Sequence, residues 1–300
     1  MNTTRIAYAA DQGPRDNYED ACAAFRQVID IVWQLTYSVL LVCDGVGGGA
    51  AGEVASRMGV QQIVSSLVGL LLASIHNPRA VALCPDAFLD ALCQALRQAN
   101  IAISEQALAR PEFRGMASTA VCAVIAGNQL FVGSVGDSRC YLHHQGSLLR
   151  ITTDHSEVQD RIMSGLLDPK DAWAHPLAHC INRYLGQAEN FAPETRLCRL
   201  AEGDVVLLCT DGLTDVLTDE TITALIRDYK RGSFPFEELP QVLVQEALAA
   251  GTTDNVTVLC YEHQAMPAPG PHPLTRTLTG SYPTAVGKTL NQFYKESSHA

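Results

Sequence analysis

Aspartates recur at the ends of apolar runs in this chain. VLLVC runs into Asp44-Gly45, VVLLCT into Asp211-Gly212, and LFVGSVG into Asp137. Asp254-Asn255 stands just before the run VTVLCY. Glu19 and Asp20 add two carboxylates in the polar segment DQGPRDNYEDA. A single Asp-Gly after a strand is an ordinary turn. Two such pairs after uninterrupted apolar runs, the first followed by Gly47, Gly48 and Gly49, also fit carboxylates gathered over one mouth of a sheet. Carboxylates crowded without enough Lys or Arg resist ionising together. Divalent cations resolve that conflict, and an all-oxygen donor set favours Mg²⁺, Mn²⁺ or Ca²⁺ over zinc. Gly45 is able to bring its carbonyl to such an ion, because no Cβ blocks the approach.

The elements that must hold these groups are legible from periodicity. Residues 4–10 alternate as a strand, and Ser38–Cys43 is a wholly apolar strand. From Ala50 the apolar stripe Val54, Met58, Ile63, Leu67, Leu71 and Ile75 predicts a helix broken at Asn77-Pro78. A second helix is predicted over about 85–108, with Leu89, Leu92, Leu96, Ala99 and Ile103 as its stripe. Short strands at 119–125, 130–135, 139–142 and 148–151, joined by tight turns, predict antiparallel hairpins. Residues 155–180 read as an irregular insertion. A strand at 205–209, a helix capped by Thr218, a helix at 236–249 and a final strand at 256–261 follow. Helix pairs stand apart from runs of hairpin strands, which is an α+β pattern with antiparallel sheets covered by helices.

Three hundred residues, 47% of them hydrophobic, suffice for one large domain or two small ones with a substantial core. Residues 264–300 hold five of the fourteen prolines and many Thr and Ser, and read as a mobile tail after a body at 1–263. A net charge of −11 argues against nucleic acid or anionic membrane as a partner. The ten cysteines include no CxxC pair, and most lie in apolar runs as small hydrophobes, so a reducing cytoplasm is expected. No cysteine begins the Cys-x5-Arg of a cysteine phosphatase: Gly186 stands where Cys180 would need the arginine, and Asp215 where Cys209 would. GSYPTAVGKT at 280–289 has six residues between its glycines rather than the four of a phosphate loop.

Eight segments occur in an order that resembles the metal-dependent protein serine/threonine phosphatases (the PPM family, type-2C class), in their bacterial form. They are RDNYED (15–20), DGVGGGAAGEVAS (44–56), GMASTA (115–120), VGDSRCYL (135–142), TTDHS (152–156), RYLG (183–186), CTDGLTD (209–215) and GTTDNVTV (251–258). The likeness runs over about residues 5–262, with Ser118 where the family carries a threonine. It implies a four-layer α-β-β-α sandwich of two antiparallel sheets. It also implies two Mn²⁺ or Mg²⁺ ions, bridged by Asp44 with the Gly45 carbonyl on one, and Asp211 and Asp254 on the other. By the same likeness Glu19 holds metal-bound water, Asp20 supports the ligands, and Asp137 with Asp211 forms a weaker third-metal site. Arg15 is matched to the arginine that grips substrate phosphate, and residues 156–181 to the flap.

The implied function is hydrolysis of phosphoserine and phosphothreonine in proteins by a metal-bridging water. It would reverse a serine/threonine kinase in cytoplasmic signalling, with a monomer as the expected state. The alternative from another class is a catalytically weak sensor or scaffold that keeps the fold and binds phosphoproteins. Val46 follows Asp44-Gly45 where animal members carry a histidine, so no general acid is assigned. His155 is read as structural. His175 and His179, four apart in the flap without a carboxylate pattern, are read as solvated polar residues.

Overall fold

The computed structural model describes residues 5–30, 35–46, 50–73, 85–172, 175–189 and 191–264. The glycine cluster at 47–49, the helix break at Asn77-Pro78 and the tail from residue 265 lie outside them. The chain order is β1 (Arg5–Asp11), β2 (Ala21–Asp30), β3 (Leu35–Cys43), β4 (Gly45–Val46), α1 (Ala50–Ala73) and α2 (Pro85–Ala109). Then come β5 (Ala117–Ser118), β6 (Ala120–Ala126), β7 (Gln129–Val135), β8 (Arg139–His144), β9 (Ser147–Arg150) and α3 (Glu157–Met163). Last are β10 (Glu194–Arg199), β11 (Val205–Cys209), α4 (Asp211–Thr214), α5 (Asp219–Lys230), α6 (Leu239–Ala249) and β12 (Val256–Glu262).

Two five-stranded antiparallel sheets result, ordered β1-β12-β11-β8-β9 and β10-β7-β6-β3-β2. Three apolar cores separate four layers. Leu40, Val42, Val121, Val132, Leu142, Val206, Leu208 and Leu259 fill the space between the sheets. Val39, Leu41 and Cys43 turn the other way, onto Ile63 and Leu67 of α1 and Leu92, Leu96 and Ile103 of α2. Val205, Leu207 and Cys209 likewise meet Ile222 and Ile226 of α5 and Leu243 and Val244 of α6. Strands β3 and β11 are therefore covered on both faces. That is why they read as unbroken apolar runs rather than as alternating ones. The α-β-β-α architecture expected from the sequence is the one observed.

Besides the two-residue strands β4 and β5, which pair as a small third sheet, two strands escape the sequence reading, β2 and β10, and both are sheet edges. Edge strands bury less and carry more polar side chains, as in ETRLCR at 194–199, so their periodic signal is weak. The insertion after residue 155 is also less irregular than its composition suggests. Ser156 caps α3 by accepting from the Gln159 amide at 3.2 Å. A bridge between Ser156 and Ile181, with the Glu157 amide donating to the Cys180 carbonyl at 2.9 Å, closes the segment at its base. Among the described residues no helix is long and apolar enough to cross a membrane.

Thr218 caps α5, its hydroxyl accepting from the Thr221 amide, with Asp219 and Glu220 in the first turn where the helix dipole favours them. Thr218→Ala should lower unfolding free energy by about 1 kcal/mol, and Tm by about 2–4 °C for a domain this size. Thermal melts check this, and an unchanged Tm would show that the cap carries no stability.

Candidate metal and phosphate site

Strand register brings the predicted carboxylates to one end of the sandwich. Cys43, the last residue of β3, pairs with Ala21, the first of β2, so Asp44 and Asp20 leave the sheet side by side. In the other sheet Cys209 ends β11 opposite Arg139 at the start of β8 and Val258 near the start of β12. Asp137, Asp211 and Asp254 therefore emerge at one end as well. A cavity of about 540 Å³ opens there. Its walls include Arg15, Glu19, Asp44, Gly45, Asp137, Asp211 and Asp254. Asp20 lies behind the wall, buried, with one carboxylate oxygen accepting from the hydroxyls of Thr210 at 3.0 Å and Thr257 at 2.6 Å.

Backbone contacts fix each carboxylate. Asp44 is tied to the start of the β5–β6 segment from both sides. Its amide donates to Thr119 Oγ1 at 3.0 Å, and its carbonyl accepts from the Thr119 amide at 2.8 Å and Ser118 Oγ at 2.9 Å. The Gly45 amide donates to the Glu19 carbonyl at 3.2 Å. A Cβ on Gly45 would stand 2.3 Å from the Gly52 carbonyl oxygen, so only glycine lets α1 start this close to the metal loop. Gly212 is as confined, with the Asn255 carbonyl oxygen 2.1 Å from where its Cβ would lie.

Asn255 gathers the remaining loop. Its Oδ1 accepts from the Glu19 amide at 2.7 Å, and its Nδ2 donates to the carbonyls of Gln12 at 2.7 Å and Asn17 at 3.0 Å. Arg15 is seated by the same region. Its Nε donates to the Thr253 carbonyl at 2.8 Å and its Nη2 to Asp254 Oδ2 at 2.6 Å.

Crowding dominates the electrostatics. Burial, then Asp211, Asp20 and Asp137 in turn, push the Asp44 carboxyl well above its ordinary range. Burial and Asp211 do the same to Asp137. Asp211 is raised by burial and by Asp254. Asp20 is pushed up to about 7, chiefly by burial, against the two threonine hydroxyls. Glu19 is raised by burial, with Arg15 opposing. Among the described residues, Arg15 and His179 are the only basic side chains lining the cavity.

These residues fit divalent cations. The donors are all oxygen, Arg15 pairs with only Asp254 among them, and Asp211 Oδ1 is buried with no hydrogen-bond partner among the described residues. No three His, Cys, Asp or Glu side chains among the described residues are gathered as tightly as a bound ion holds its ligands. The fit rests on donor type, burial and that orphaned oxygen.

Sequence reasoning gave no role to Thr119, Asn255 or Asp215. Thr119 and Asn255 hold backbone, and nothing in their spacing announces it. Asp215 follows Asp211 by four residues, one turn of α4, so both face the cavity; the i, i+4 spacing in DGLTD was the available signal. His179, read as a solvated polar residue, is 71% exposed, and the sequence reading missed only its place at the cavity. It lines the cavity, with Nδ1 3.1 Å from Asp215 Oδ2. The flap's irregular backbone hid that approach. His175 instead accepts from the Leu177 amide at 3.1 Å, within its own turn. His155 is buried and accepts from the Gly136 amide at 3.1 Å, a structural tie behind Asp137.

A fold of this kind with this mouth matches the family model "Protein phosphatase 2C" over residues 17–249, and the chain belongs to that family. It is 34% identical over 262 residues to the serine/threonine protein phosphatase PstP of Mycobacterium tuberculosis, covering 85% of this chain and 44% of that one. It thus spans under half the length of that relative. Against the serine/threonine phosphatase stp of Listeria welshimeri it is 30% identical, over 76% of this chain and 85% of the relative. A solved PstP catalytic domain in complex with two manganese ions superposes with a TM-score of 0.68 at 32% identity, covering 86% of this chain and 97% of that one.

The raised carboxyls give the metal-free protein a distinctive pH dependence. Their folded values exceed the unfolded ones, so their stabilising contribution is complete below the ordinary Asp range. It is lost as pH rises through the folded values, about 6 for Asp215 and about 7 for Asp20. Buried His143, His155 and His263, all shifted down by burial, act in the opposite sense. They cancel in the difference between melts with EDTA and with Mn²⁺. That difference in Tm should widen from pH 5 to pH 8; a constant gap would mean the carboxyls are not the linked groups.

Proposed function

We propose that this chain is a metal-dependent protein phosphatase that hydrolyses phosphoserine and phosphothreonine esters, opposing a serine/threonine kinase. The observation that carries the reading is the buried carboxylate cluster with its orphaned Asp211 oxygen, opening on a cavity that also holds Arg15. Asp44, the Gly45 carbonyl, Asp211 and Asp254 are the groups placed to hold two Mn²⁺ or Mg²⁺ ions. Glu19 acts through water, and Asp20 braces them from behind. Asp137, across from Asp211, suits a third and weaker ion. Bound, the ions make water nucleophilic at neutral pH and neutralise phosphoryl charge.

The chain's own groups do the rest. Arg15 is held over the mouth by Thr253 and Asp254 and offers its guanidinium to the phosphate oxygens. Asp20 and the Thr210–Thr257 pair keep the two sheets' loops in register, the Thr257 amide donating to Thr210 Oγ1 at 3.0 Å. The described cysteines are all free thiols, which supports a reducing, cytoplasmic setting. An intact set of Asp44, Asp211 and Asp254 disfavours a silent scaffold.

Phosphate release from p-nitrophenyl phosphate and from a phosphothreonine peptide should require Mn²⁺ or Mg²⁺ and stop with EDTA. Asp44→Asn should abolish both while leaving the melt near that of the parent. Parental rates for Asp44→Asn in saturating Mn²⁺ would remove Asp44 from the metal set.

A charge-assisted bond to phosphate is worth roughly 1.5–3 kcal/mol. Arg15→Ala should therefore lower kcat/KM by about one to two orders of magnitude, and Arg15→Lys should restore only part. Because Arg15 now neutralises Asp254, its removal should not raise the Mn²⁺ concentration needed for half-activation. A weaker Mn²⁺ response would place Arg15 in metal assembly instead.

A further inference from the structure

The phosphatase reading leaves the leaving group unattended. Cleaving a serine or threonine ester expels an alkoxide, a far poorer leaving group than an aryl oxide, and a proton donor beside that oxygen is needed for fast departure. Val46, next to the metal loop, has no proton to give. Arg15 does not release one at any relevant pH. Of the aspartates in the wall, Asp44, Asp137, Asp211 and Asp254 are assigned to metal, and Asp215 is engaged with His179.

His179 is the only imidazole among the described residues lining the site cavity. Its Nδ1 is taken by Asp215 Oδ2 at 3.1 Å, which leaves Nε2 as the atom able to serve a reactant. The ring is 71% exposed, so a substrate can reach it. Asp215 is itself held by α4, its amide donating to the Asp211 carbonyl at 2.7 Å. The dyad thus joins the flap to the carboxylate cluster through a single turn of helix.

A second cavity of about 870 Å³ adjoins the first, between the flap and α5. Among the described residues, His179 and Asp215 alone line both. Val158, Ile162 and Leu217 line the second cavity beside charged groups such as Arg150, Lys170 and Glu220, a mixed surface suited to the peptide around a phosphorylated residue. His179 and Asp215 stand where a phosphate in the first cavity and a peptide in the second would join.

We propose that His179, oriented by Asp215, is the general acid that protonates the departing serine or threonine oxygen. This rests on the phosphatase reading. In the step, water oxygen forms a bond to phosphorus while the bond from phosphorus to the ester oxygen breaks. The bonding pair goes to the ester oxygen, which takes the Nε2 proton. Inorganic phosphate and a free hydroxyl result, and the imidazole regains a proton from solvent. His179 is the catalytic residue; Asp215 is a positioning residue acting through it.

The test compares His179→Ala and His179→Gln with the parent on two substrates in saturating Mn²⁺. One is a phosphothreonine peptide; the other is p-nitrophenyl phosphate, whose p-nitrophenolate leaves without a proton. The expected result is a loss of about 10²-fold or more in kcat on the peptide, a several-fold smaller loss on the aryl phosphate, and partial recovery of peptide turnover by His179→Ala in added imidazole. Asp215→Asn should show the same substrate bias at smaller size, without imidazole rescue. Equal losses on both substrates would make His179 a phosphate or metal contact and overturn the proposal, as would a change in KM alone or no change. A parent chain that releases no phosphate from either substrate would instead sink the phosphatase reading itself.

Discussion

Mutual repulsion among buried carboxylates is the constraint on which this structure turns. Asp44, Asp137, Asp211 and Asp254 stand at the rim of a four-layer sandwich, with one guanidinium and one imidazole as the nearby basic groups. Left alone, such a cluster opposes its own ionisation and weakens the fold that assembles it. The apolar cores supply the stability that tolerates it. Strands β3 and β11 are covered on both faces and end abruptly in Asp44 and, one residue on, Asp211. A rigid end to a buried strand places a charge where a flexible loop would let it escape into water.

Around that cluster the polar contacts are mostly to backbone. Thr119 and Ser118 hold Asp44, Asn255 holds the loop of residues 12–19, and Thr210 with Thr257 hold Asp20. None of these side chains needs to touch a substrate. Each takes a hydrogen-bonding group that burial would otherwise strand, and in doing so fixes the angle at which a carboxylate enters the cavity. Gly45 and Gly212 contribute by absence, since α1 and the Asn255 carbonyl approach them more closely than any Cβ allows.

The sequence revealed the layers and the carboxylates because both rest on local pattern. Apolar runs with a helical or strand period announced β3, α1, α2 and β11, and an Asp at the end of a run is visible without coordinates. The missed parts are non-local. Strand β2 and strand β10 draw their stability from one neighbour each, so their side chains show little alternation. Asn255 bonds to residues more than two hundred positions away, and no window of sequence contains both partners. His179 was legible as a histidine but not as a neighbour of Asp215, because an irregular segment brings it to the cavity.

Strand order carries a consequence for biosynthesis. The last strand, β12, lies between β1 and β11, so β1 has no neighbour in the first sheet until residues 256–262 have emerged. Asp254 and Asn255 arrive in the same final stretch, and with them the clamp on residues 12–19. A nascent chain on the ribosome can therefore build the helix-backed second sheet and present Asp44, yet it has no closed mouth. High contact order of this sort makes the site one of the last parts to form.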